Sequence, residues 1–92
     1  MVLSEAELVN AICLHIAERK SIRPEDVGVE LVYDDEAGYS AEIVAAGREQ
    51  VLIEANLAEA VSRYMWKEYG KRVYRESISF RLEDEIITEV AV

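Results

Sequence analysis

The residues best suited to chemistry are few. The chain has one histidine, His15, and one cysteine, Cys13. On a helix, residues two apart project about 200° from each other. They therefore cannot ligate one metal from a single helix, nor form a thiolate–imidazole pair. No second histidine, C-x-x-C or H-E-x-x-H accompanies them, so a zinc site would need carboxylates brought from elsewhere. Cys13 reads as a buried, inert thiol at the edge of an apolar stripe. His15 reads as a boundary residue on the flank of that stripe. Ser40, Ser62, Ser77 and Ser79 sit in ordinary element contexts, without a nucleophile elbow. No glycine-rich phosphate loop is present. Two acidic clusters, Asp34-Asp35-Glu36 and Glu83-Asp84-Glu85, supply the oxygen ligands that hard cations take. The 34–38 run lacks the EF-hand pattern and its bidentate glutamate, so both clusters read as solvated turns. No catalytic, cofactor or metal site is expected.

The stretch Arg63 to Arg75, RYMWKEYGKRVYR, is different. It holds five basic residues and one acid, a net +4 in a chain of net charge −9, so the remainder carries −13. It also holds Tyr64, Trp66, Tyr69 and Tyr74. Interleaved cations and aromatics suit a phosphate backbone or a stacking surface. Cations also suit the last turn of a helix, where the dipole is negative, and Tyr64 and Met65 fit a core stripe. Trp66 fits the structural explanation less well. It points more than about 120° away from the mean direction of Leu57, Val61, Tyr64 and Met65, with polar Ser62 and Arg63 one turn back. An exposed Trp flanked by Arg is the composition of a binding hot spot. Leu14, between Glu7 and Glu18, is a second apolar residue off its stripe. The expected interface is Arg63, Trp66, Lys67, Arg72, Tyr74 and Arg75, its basic face meeting an acidic turn, 34–36 or 83–85, of another copy. Coverage of Trp66 by the chain's own 71–76 segment or C-terminal tail is the alternative.

The elements that must position these residues follow from periodicity. Ser4 and Glu7 make an S-x-x-E capping box, and Leu8, Val9, Ile12, Cys13 and Ile16 recur at helical steps, so a helix is predicted over 4–20. Arg23-Pro24 ends it, and Pro24-Glu25-Asp26 suits one short turn. From Val27 the period becomes two. Strands are predicted at 27–34, 39–46 and 49–54, joined by an acidic turn at 34–38 and a hairpin loop at Gly47-Arg48. Asn56 and Glu59 form a second cap, for a helix over 56–69 ending at Gly70. Ile78, Phe80 and Leu82 alternate with polar residues, and the apolar phase continues through 86, 88, 90 and 92. Residues 77–92 are therefore a hairpin turning at 83–85 or one long bent strand. The expected core is Leu8, Ile12, Ile16, Leu31, Ile43, Leu52, Leu57, Val61, Met65, Ile78, Phe80 and Leu82. The order α-β-β-β-α-β-β implies an α+β two-layer sandwich, an antiparallel sheet with two helices on one face. Residues 1–92 read as one domain.

At NAICLHIAERK (10–20), VELVYDDEAGYSAE (29–42) and QVLIEANLAEA (50–60) the chain resembles the YxcD-like family of small uncharacterised proteins of Bacillus-type bacteria. The resemblance covers roughly residues 3–65. It implies a bacterial cytoplasmic protein and carries no assigned activity, so no functional residues transfer.

Composition narrows the rest. The chain is 51% hydrophobic and 32% charged, globular rather than disordered values. A net charge of −9 disfavours phosphate backbones and anionic lipid. One cysteine fits a reducing compartment. The N-terminus lacks the basic region of a signal peptide, and no stretch nears the roughly 20 apolar residues of a membrane span. The expectation is a cytoplasmic, non-enzymatic interaction module, a homodimer or the partner of another protein, with no membrane and no nucleic acid. The alternative is a double-stranded-RNA binder, because the first five elements share the α-β-β-β-α order of that fold. Its second helix would begin with two acids and no base, Glu54 to Glu59, where such domains put phosphate contacts.

Overall fold

The computed structural model describes residues 1–91. A two-residue strand, β1 (Val2–Leu3), precedes helix α1 (Glu5–Lys20). A 3-10 turn at Pro24–Asp26 leads into β2 (Gly28–Asp34), β3 (Gly38–Ala45) and β4 (Arg48–Ile53). Helix α2 (Glu54–Tyr69), a second 3-10 turn (Arg75–Ser77), β5 (Ile78–Leu82) and β6 (Ile86–Val90) follow. The architecture is mixed α+β, as the periodicity implies.

The signal at the start of α1 works as it reads. The Ser4 hydroxyl accepts the Glu7 N–H at 3.2 Å, completing the box at the start of α1. The second helix starts two residues earlier than predicted. Ile53 is its extended flanking residue, and Asn56 reaches back from inside the first turn, its Oδ1 accepting the Ile53 N–H at 3.1 Å. Asn56 thus satisfies an end group without opening the helix. The Glu54 carboxylate accepts the Tyr39 N–H at 2.9 Å, tying the helix start to β3. It occupies the space a Cβ at Gly38 would need, and Gly38 has a φ of +79°. The loop between β3 and β4 is Ala46-Gly47, both with positive φ, the requirement of a type I′ hairpin turn. Arg48 is therefore the first residue of β4, paired with Ala45, not part of the loop.

The six strands form two antiparallel sheets, in the orders β1-β6-β5 and β2-β3-β4, not the single sheet expected. The last segment is a hairpin, with Leu82 opposite Ile86. Its outer partner is β1, which pairs Val2 with Glu89 and Leu3 with Thr88. The end of the expected fifth strand, Val92, lies outside the described residues. The helices join the two sheets: α1 touches β1, β2 and β6, and α2 touches β3, β4 and β5. The Tyr39 and Phe80 rings meet across the divide at 5.8 Å. The molecule is 20 Å thick along its shortest axis, the depth of one helix layer on one sheet layer.

Nine of the twelve expected core residues are buried. Leu31 and Phe80 are half-buried and Leu82 is exposed. Leu82 shares the phase of Ile78, but it ends its strand beside the turn, beyond the cover of the helices. The core also takes Leu3, Ala41, Ala45, Ala60, Val73, Ile86 and Val90.

Candidate interaction surface

Trp66 is 56% exposed, and the local backbone explains its setting. Gly70, at φ +65°, ends α2 in a left-handed turn. The Gly70 N–H bonds to the Trp66 carbonyl, and the Lys71 N–H to that of Met65. The chain then runs back beside α2. The Ser62 hydroxyl donates to the Val73 carbonyl at 2.6 Å, and Val73 is buried. This pins Arg72 above the indole, its guanidinium carbon 5.5 Å from the ring centre, within cation–π range. The 71–76 segment thus reaches Trp66 through Arg72 but does not bury it.

The six expected interface residues divide. Arg63, Trp66, Lys67 and Arg72 line one groove of about 350 Å³, with Ser62 and Val73. Arg75 lines another, with Tyr39, Glu54 and Phe80. Tyr74, 65% exposed, lines neither. Glu18 of α1, outside the lining of the first groove, holds both of its helix cations: the Arg63 guanidinium donates to it at 2.6 Å, and Lys67 pairs with its other oxygen. Lys67, with Arg63 beside it, keeps the Glu18 carboxyl below the usual carboxylate range. Arg72 enters no ion pair among the described residues.

Between the helices, beneath these ion pairs, lies a cleft of about 240 Å³ lined by His15, Leu14 and Tyr64 among others. His15 is only 6% exposed, so it is a buried residue rather than the boundary residue expected. The wheel places it on the flank of α1, and α2 packs against that flank. Its Nδ1 has no hydrogen-bond partner among the described residues. Burial pushes the imidazole below its ordinary pKa; Glu59 opposes this and Arg19 and Arg63 reinforce it. Cys13 is half-buried, its Sγ 3.8 Å from the Val27 carbonyl oxygen, and burial raises its pKa. Raising the pKa depletes the thiolate and so weakens a nucleophile.

The acidic turns are partly used within the chain. Asp34 accepts the Glu36 and Ala37 N–H groups at 2.7 and 3.2 Å, which hold its carboxyl below the usual range. Glu85 accepts the Glu5 N–H at the start of α1, where a carboxylate meets the positive end of the helix dipole. Glu83 pairs with Arg81.

One exposed surface escaped the sequence reading. On the face of the β2–β4 sheet away from the helices, Val44, Val51 and Ile53 are 49%, 63% and 61% exposed. The signal was there: these valines and the isoleucine share a phase with Ser40 and Glu42.

The pattern of a family described as a protein of unknown function (DUF2653) matches residues 1–85, nearly the whole chain. The chain belongs to the DUF2653 family. The uncharacterized protein YxcD of Bacillus subtilis (strain 168) is 33% identical to it over 66 residues, 71% of this chain and 65% of that protein. The chain thus spans just under two thirds of that curated relative. No solved structure matches it. Membership of DUF2653 agrees with the resemblance read from 10–20, 29–42 and 50–60, and it assigns no chemistry to any residue. No helix among the described residues is long and apolar enough to cross a membrane.

Proposed function

We propose that this chain is a small, non-enzymatic interaction module that self-associates through the Trp66 groove, with the homodimer as its smallest unit. One observation carries the reading: a tryptophan more than half exposed, held under an arginine by a segment that is itself hydrogen-bonded in place. Trp and Arg are the residues over-represented at binding hot spots. A rigid ring with a pinned cation loses little conformational freedom on binding, which lowers the entropic penalty of association. The single cysteine suits a reducing, cytoplasmic setting for this module.

Size-exclusion chromatography with light scattering tests it. At tens of micromolar the mass is that of two chains or more, and tryptophan emission shifts on dilution as the indole meets water. Trp66→Ala should weaken association by about thirtyfold or more, the scale of a hot spot worth about 2 kcal/mol. A monomer throughout, with emission unchanged on dilution, rules the reading out.

A further inference from the structure

We propose that the outer face of the β2–β4 sheet is the surface that receives the Trp66–Arg72 patch of a second copy of this chain. The proposal rests on the self-association reading and names the other half of the contact. The face has an apolar floor with a negative centre. Val44, Val51 and Ile53 stand exposed on it. Glu30 and Glu42 are directly opposite each other on β2 and β3, and Val51 flanks Glu42 on β4. Like charges so placed destabilise a sheet. Neither glutamate enters an ion pair among the described residues. The shallow groove above them has a volume of about 480 Å³.

The two patches supply what each other lacks. The groove beside α2 offers a flat apolar ring and a guanidinium with no carboxylate partner. Set on the sheet, that guanidinium relieves the repulsion between Glu30 and Glu42, and the indole covers Val51. The symmetric pairings bring like charges together: two sheet faces would set one acidic patch against another, and two grooves one basic patch against another. Only the crossed pairing matches opposite potentials, which set register and speed association. The sheet face looks away from the helices, and Trp66 lies on the side of α2 away from the core. The contact is therefore head-to-tail. Two copies leave one patch and one face free, so the mass climbs past the dimer as concentration rises.

Two full-length variants test this, Trp66→Ala and Glu42→Arg, both at exposed positions and both checked for folding by circular dichroism. Each alone should be monomeric where the parent chain assembles. Mixed in equal amounts they should recover a dimer of two unlike chains that grows no further, because each pair holds one intact patch and one intact face. If Glu42→Arg assembles like the parent while Trp66→Ala does not, the sheet face is not the receiver; the proposal falls and the Trp66 reading stands. A mixture that stays monomeric also overturns it. If Trp66→Ala assembles like the parent, both readings fall together.

Discussion

Among the described residues, His15 and Thr88 are the two buried polar ones, and each leaves an atom without a partner. They differ in what this does to stability. Burial lowers the His15 pKa, so the unfolded chain takes up the proton first as pH falls. Above the ordinary value, about 6.5, the ring is neutral in both states and contributes no pH dependence. Stability then declines as pH drops through about 6.5 and levels off below the folded-state value. Urea unfolding across this range should show the slope in the parent chain, and His15→Leu should flatten it. An unchanged slope in the variant means that another group is responsible. Thr88 does not titrate, so its effect is constant. Thr88→Val keeps the shape and removes a hydroxyl with no partner, and should stabilise the fold by about 1 kcal/mol. A loss of stability would show that the hydroxyl is satisfied in solution.

Among the elements, the hydrophobic period was a good guide inside long segments and a poor one at their ends. Leu82 has the phase of a core residue and is 52% exposed, whereas Leu3, in a two-residue strand too short to show any period, is wholly buried. The difference comes from β1 closing over β6, where Leu3 sits opposite Thr88 and the amino terminus donates to the Val90 carbonyl at 2.8 Å. Leu3→Ala should therefore cost about 2–5 kcal/mol, the range for a large buried side chain. Leu82→Ala should stay within about 0.5 kcal/mol, as an exposed substitution does. Chemical denaturation of the two variants side by side decides this. A larger loss at Leu82 than at Leu3 would mean that the hairpin tip is covered and the N-terminal strand is not.

For the molecule as a whole, the distribution of charge matters more than its total. The 63–75 segment carries +4, yet Glu18 takes two of its cations into ion pairs. Arg75 faces a separate groove beside Glu54 and Glu76. What remains beside Trp66 is too small for a row of phosphates, and it sits in a field of net charge −9 screened only beyond about 8 Å at physiological salt. Double-stranded RNA should not shift in a mobility assay at micromolar protein and physiological salt. A clear shift, abolished by Arg72→Glu, would favour the RNA-binding alternative over self-association.

What the sequence determined by itself is local. The capping box at Ser4 and Glu7, the turn at Pro24, the Gly70 stop and the alternation in β2, β3 and β4 each depend on residues a few positions apart, and each is visible in the chain. The exposure of Trp66 was legible for the same reason, since a wheel position needs only its own helix. Contacts between distant segments were decided by the tertiary structure. The pairing of β1 with β6 joins residues more than eighty positions apart. With β5 these two strands make a sheet of their own, separate from β2, β3 and β4. The grasp of Glu18 on Arg63 and Lys67 spans more than forty positions. It turns what reads as a basic stretch into a small patch around one tryptophan and one arginine. Packing of α2 against the flank of α1 buries His15, which its own helix would have left at the boundary. Periodicity records which side of an element is apolar; which other element covers that side depends on the fold around it.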